Sequence, residues 1–178
     1  MRAAAAPMML LSVILGACAQ PAGSASGGPV SMITVRSSAF SDGGEIPARY
    51  TCDGADTSPP LAWSGAPADA AAVAIVVTDL DAGGFVHWLA SDVVTSAGLG
   101  EGASGAGAIG SEGRNGFGAT GYGGPCPPSG SHRYVFEVFA LSKALGLAPG
   151  FSRDDLDRAM NGKVLASGKL TARYQRRR

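Results

Sequence analysis

The sequence predicts a mostly β, antiparallel fold with short peripheral helices near the carboxyl end. Three observations carry this. The segment Ala71 to Asp79, AAVAIVVTD, is continuously apolar and rich in β-branched residues, as a strand buried on both faces must be. Two further runs, YVFEVFAL at Tyr134 to Leu141 and GKLTARY at Gly168 to Tyr174, have strand length and composition. The 27 glycines and an aromatic content of only 7% make the chain loop-rich.

Taken in order, Met1 to Ala17 reads as a secretory signal: Arg2, the apolar run MMLLSVIL, then small residues, too short for a membrane-spanning helix. Leu15-Gly16-Ala17-Cys18 resembles a bacterial lipobox, with Cys18 as the lipidated first residue. Ala17-Cys18-Ala19 also fits an A-x-A cleavage site, which would discard the cysteine and release a soluble periplasmic protein. Three cysteines leave one odd thiol in an exported chain; lipidation of Cys18 accounts for it and leaves Cys52 and Cys126 as a disulfide pair. The lipoprotein reading is preferred. Several acyl chains make a stable anchor, and Ala19 in place of aspartate favours the outer membrane, facing the periplasm. Residues 18–30 then form the lipidated cysteine and a flexible Gly/Ser linker, and residues 31–178 form one domain, which their length suits.

Within that domain MITVRS predicts the first strand, SDGGE a turn and DGADTSPP a polar loop. LAWSGAP is a short strand ended by Gly65 and Pro67. After Ala71 to Asp79, a Gly83-Gly84 turn leads into FVHWLASDV, giving a hairpin. Residues 96–121 are mostly Gly, Ala and Ser and predict a long loop. Ser152 is placed to cap a short helix through Met160, with Asp154 and Asp155 in its first turn. Fourteen basic and fourteen acidic residues balance, so no basic field recruits nucleic acid.

The chemistry converges on GYGGPCPPSGSHRY, Gly121 to Tyr134. Its prolines limit backbone freedom and its glycines permit close approach, which together make a preorganised wall. The two histidines, His87 and His132, each lie beside aromatics, and Asp79 and Asp81 end an apolar strand. Two G-x-G-x-x-G strings, GAGAIG at 105–110 and GFGATG at 116–121, lack the strand before and the helix after that a dinucleotide site needs. No G-x-S-x-G elbow is present. A metal site of Asp79, His87 and His132 has no close histidine pair to support it, so neither metal nor cofactor is expected.

In this order, YTCDGADTSPPLAW, then D-x-D, then His-Trp, then the Gly/Pro loop with His-Arg-Tyr, then DLDRAMNGKVLASGKLTARYQR, the chain from Ser31 to Tyr174 resembles the phosphatidylethanolamine-binding protein family. The bacterial branch, called Raf kinase inhibitor-like, is the nearer likeness. The resemblance implies a small anion pocket built from Asp79, His87, His132 and Tyr134, with Asp81, Gly124 and Pro127 beside it. An imidazole can donate to an oxyanion while a carboxylate holds its other nitrogen. The amides of Gly123 and Gly124 are candidates for an anion-binding nest. Asp81 has the alternative role of bracing its own turn, and Arg133, opposite in face to His132, reads as a salt-bridge residue. Leu80 and Gly83 stand where the family commonly has prolines, which predicts a looser turn.

The expected function is therefore a binding protein and not an enzyme, holding a phosphate- or carboxylate-bearing small ligand or a phospholipid headgroup. The alternatives are an inhibitor acting on a protease or kinase, and a hydrolase using the same groups.

Overall fold

The computed structural model describes Met1 and residues 31–94, 98–107 and 109–176. The signal segment, Cys18 and the linker lie outside the described residues. Two sheets and one α-helix make up the chain among these residues. The strands are β1 (Ser31–Met32), β2 (Thr34–Arg36), β3 (Leu61–Ser64), β4 (Ala72–Asp79), β5 (Phe85–Val93), β6 (Gly98–Leu99), β7 (Ser111–Glu112), β8 (Ser131–Leu141) and β9 (Val164–Gln175). The helix α1 is Arg153–Met160, and a 3-10 turn covers Ala48–Tyr50.

The larger sheet has the order β1-β9-β8-β4-β5-β7 and the smaller one β2-β3-β6. All pairings are antiparallel except β1 with β9. The predicted first strand MITVRS is split between the sheets: Met32 pairs with Ser167 while Thr34 pairs with Ser64. The pivot is Ile33, whose N–H still donates to Ser167 at 2.9 Å. The stretch predicted as a long loop contributes two short strands, β6 and β7, each fixed by pairing to a distant partner.

β4 is buried along its whole length. Val73, Ile75 and Val77 face the smaller sheet and pack with Val35, Trp63, Trp88 and Phe136. Ala74 and Val76 face the other way, toward Leu89, Leu141, Leu156 and Met160. That arrangement explains the unbroken apolar run, since a strand covered on both faces has no polar side to alternate with. α1 is capped as predicted: Ser152 Oγ accepts from Asp155 N–H, and the Asp155 carboxylate accepts from Ser152 N–H at 3.0 Å. It is the one α-helix among the described residues. Cys52 and Cys126 are bonded, with 5.4 Å between their Cα atoms.

Candidate functional site

The site forms where the central strands of the larger sheet end. Asp79 is the last residue of β4 and pairs directly with Tyr134 of β8 on one side and Phe85 of β5 on the other. His132 lies two residues before Tyr134 on β8, so period two puts both on the face that carries Phe136 and Val138. His87 reaches the same place by an irregularity. Val77 pairs with Trp88 while Thr78 pairs with Val86, so β5 holds one extra residue, His87, opposite that step. This bulge lets the consecutive side chains of His87 and Trp88 share one face; regular pleating would have sent His87 to the other.

Asp79 is an anchored carboxylate. Its Oδ1 accepts from the N–H of Asp81 at 2.9 Å and of Ala82 at 3.1 Å, bracing the turn that lacks the prolines. The expected looseness is thus offset by two hydrogen bonds from the strand-end aspartate. Its Oδ2 accepts from Nδ1–H of His132 at 2.7 Å. The Asp79 side chain is 5% exposed and that of His132 16%, so the histidine is the solvent-facing member. With Nδ1 committed to the carboxylate, Nε2 of His132 is left for a ligand, as a donor when the ring is charged.

His87 is held differently. Its Nδ1 lies 2.6 Å from the carbonyl oxygen of Gly123, which only accepts, so Nδ1 carries the proton. Burial lowers its pKa, outweighing the opposing pull of the Gly123 carbonyl and of the Asp79 charge, and keeps the ring neutral. It packs edge-on against Tyr134, Phe85 and Phe117, with ring centroids 5.2, 5.2 and 5.5 Å away.

Tyr134 is fully buried, and its hydroxyl has no hydrogen-bond partner among the described residues. Burial first, then the charge of the Asp79 carboxylate and its proximity to the hydroxyl, push its pKa up, so the phenol stays protonated, near Asp79 but without a hydrogen bond of normal geometry. Asp79, His87, His132 and Tyr134 are therefore brought together as one cluster. Four surface cavities among the described residues, of about 1000, 570, 600 and 680 Å³, are lined by other residues. The largest opens just beyond His132, at Ser129, Gly130, Ser131 and Arg173.

The remaining predicted residues stand apart. Asp81 is taken by Arg133: its Oδ2 accepts from the Arg133 backbone N–H at 2.7 Å and from Nε at 3.0 Å, and its Oδ1 from Nη2 at 2.6 Å. That guanidinium holds the Asp81 carboxyl down at about 2. Asp81 is thus tied to β8 and does not brace its own turn, which Asp79 holds instead, while Arg133 fills the salt-bridge role. The proposed amide nest does not form. The N–H of Gly123 donates to the His87 carbonyl at 2.9 Å, and that of Gly124 to Asp56 Oδ1 at 2.7 Å, so neither is left for an anion. Glycine is required at 124 by close approach of another loop: a Cβ there would stand 2.4 Å from Asp56 Oδ1 and 2.5 Å from the Tyr50 carbonyl oxygen. Pro127 is buried.

Three neighbours went unread in the sequence: Asp56, Phe117 and Asn115. Asn115 accepts from the N–H groups of Phe117 and Ala119 at 3.0 and 3.1 Å and donates to the Gly121 carbonyl at 3.0 Å, shaping the loop that lays Phe117 on His87. The only available signal was an Asn and an aromatic inside a glycine-rich stretch. No group of three metal-ligating side chains occurs among the described residues.

This mostly antiparallel two-sheet fold, with an aspartate-held histidine and a second histidine beside a Gly/Pro loop, defines a class. The phosphatidylethanolamine-binding protein family model matches residues 36–175, and the chain belongs to that family. A UPF0098 protein from Methanothermobacter thermautotrophicus is 45% identical over 150 residues, covering 81% of this chain and 99% of that one. A Mycobacterium tuberculosis protein named "Putative lipoprotein LppC" is 43% identical over 148 residues, covering 80% of this chain and 72% of its own. Among solved structures, Escherichia coli YbcL, described as a new member of the mammalian PEBP family, superposes with a TM-score of 0.75 at 28% identity, covering 83% of this chain and all of that one.

Proposed function

We propose that this chain is a binding protein of the cell envelope that holds a small phosphate- or carboxylate-bearing ligand, free or as a phospholipid headgroup, between His132 and Tyr134. The observation that carries the reading is the Tyr134 hydroxyl, buried, protonated and without a partner, beside the histidine that Asp79 orients. A buried hydroxyl left unsatisfied costs about 1–3 kcal/mol, so a ligand oxygen that accepts from it recovers that cost. His132 is the entry side. A small movement of its ring or of exposed Phe117 opens the hydroxyl to an incoming oxyanion.

The nearby carboxylates are already engaged, Asp79 by the His132 ring and Asp81 by Arg133. Affinity therefore rests on placed donors more than on net field, and a singly protonated phosphate suits the site. Neutral His87 forms its apolar back wall. Anchoring through a lipidated Cys18 is supported by the lipobox-like sequence and by the name of the mycobacterial relative, while Ala19 in place of aspartate is what favours the outer membrane, facing the periplasm. No helix among the described residues is long and apolar enough to cross a membrane.

Calorimetric titration of the chain and of His132→Ala and His87→Ala with inorganic phosphate and phosphoethanolamine tests the reading. Loss of binding in His132→Ala supports it. Equal binding by all three proteins overturns the site assignment. Preference for phosphoethanolamine over phosphate identifies the headgroup as the source of the anion.

A further inference from the structure

Loop 50–57 meets the Gly/Pro loop at several points. The Tyr122 hydroxyl donates to the Tyr50 carbonyl at 2.7 Å, and Cys52 N–H to the Pro125 carbonyl at 3.2 Å. The Cys52–Cys126 bond and the Asp56–Gly124 hydrogen bond complete the contact. Within this strap Asp56 is singular. Its φ is 53°, in the left-handed region that residues with a Cβ enter rarely and at a cost. The loop enforces it: Thr51 Oγ1 donates to the Ala48 carbonyl at 2.9 Å, Gly54 N–H to the Thr51 carbonyl at 3.0 Å, and Thr57 N–H to the Arg49 carbonyl at 3.3 Å. A Cβ at Gly54 would stand 2.2 Å from the Ala48 carbonyl oxygen, so the loop is closed tightly on the 3-10 turn.

What the enforced conformation achieves is placement of one carboxylate oxygen on Gly124 N–H. The preceding residue, Gly123, is clamped to His87 at both ends, its N–H on the His87 carbonyl and its carbonyl on the ring Nδ1–H. A continuous chain of hydrogen bonds thus runs from the Asp56 carboxylate, through the single Gly123–Gly124 peptide unit, to the His87 ring.

We propose that Asp56 is a positioning residue: by holding Gly124 it fixes the Gly123 carbonyl and so the orientation and tautomer of His87 in the site. Strain at Asp56 is tolerated because that carboxylate is needed there. Its consequence for ligand binding rests on the anion-site reading above; its consequence for the ring does not.

Two substitutions in the full chain separate this from a merely structural role. Asp56→Gly relaxes the left-handed backbone but removes the oxygen. Asp56→Asn keeps an acceptor oxygen on a residue that accepts positive φ. Solvent exchange of the His87 Nδ1 proton is followed by NMR without ligand, and the affinity for inorganic phosphate is measured alongside the Tm. In Asp56→Gly the ring proton is expected to exchange about tenfold faster and phosphate to bind about tenfold more weakly, the effect of one lost hydrogen bond, while the Tm stays within a few degrees. Asp56→Asn is expected to match the parent in both. Unchanged ring exchange in Asp56→Gly overturns the proposal, as does an Asp56→Asn protein as impaired as Asp56→Gly. If the parent chain itself binds no phosphate, the anion-site reading fails, and ring exchange alone decides for or against positioning by Asp56.

Discussion

Replacing Tyr134 with phenylalanine removes one oxygen from a fully buried ring and leaves its shape and packing intact. Because the hydroxyl makes no hydrogen bond of normal geometry and has only the nearby Asp79 carboxylate beside it, the substitution removes a desolvated donor and breaks no well-formed bond. An unpaired buried hydroxyl costs about 1–3 kcal/mol. The ligand-free variant is therefore expected to be more stable by roughly 1 kcal/mol, a rise in Tm of about 3 °C for a chain of this length. Binding should change in the opposite direction. A hydrogen bond to a charged acceptor contributes about 1.5–3 kcal/mol, so the Kd for phosphate is expected to rise about 10- to 150-fold. Denaturant or thermal unfolding without phosphate and calorimetric titration with it measure the two effects separately. A variant destabilised by more than about 1 kcal/mol, with phosphate affinity unchanged, would refute the reasoning, because it would show that the hydroxyl holds the fold together and does not serve a ligand.

Three further outcomes are expected. Replacing Cys52 and Cys126 together with serine opens a closure of 74 residues and should cost about 4 kcal/mol by chain entropy, lowering the Tm by on the order of 10 °C; an unchanged Tm, or unreduced peptide maps without the cross-linked pair, would contradict the bond. Gly124→Ala, whose methyl would meet Asp56 and the Tyr50 carbonyl, should destabilise by about 1–3 kcal/mol through overpacking, whereas an effect under about 0.5 kcal/mol would mean the two loops are not pressed together. His87 has a folded pKa below the ordinary 6.5, so the unfolded chain takes up the proton first. Its contribution is full above pH 6.5 and is lost as pH falls toward the lower folded value. His87→Gln should flatten the decline in Tm between pH 6.5 and 5, and an identical slope would remove His87 as its cause. The lowered carboxyls of Asp53, Asp81 and Asp155 act in a separate window, below their ordinary value of 3.8.

What could be read in advance follows from how local each signal is. β4 was legible because burial on both faces writes itself as an unbroken apolar run, β8 because its aromatic and β-branched residues have strand length and composition, and α1 because Ser152 and Asp155 form its cap within four residues. The pairing of Cys52 with Cys126 was legible by counting. The split of MITVRS at Ile33 was not, since it depends on which sheet each half meets, 135 residues later for Met32 or 30 residues on for Thr34. Of the site, Asp79, His87, His132 and Tyr134 were named, yet the feature that joins them was hidden. The bulge at His87 arises from a register step between two strands, and a single strand's sequence does not record its partner's register. Asp56 was hidden for a related reason. An aspartate in a polar loop reads as a turn residue until the second loop, 68 residues away, is laid against it. That contact and the bond from Gly123 N–H to the His87 carbonyl together overturned the amide nest, because a free N–H on paper can already be spent on another segment.

Titrating the chain with inorganic phosphate and with phosphoethanolamine, while following the ring signals of its two histidines by NMR, tests the central claim most directly. The account predicts that the His132 and His87 signals shift together and saturate, His132 by direct contact and His87 through Tyr134 and the Gly123 clamp. Rings that stay still through the full titration would contradict it, and the cluster would then be part of the framework at the end of β4 and not a place where ligands bind.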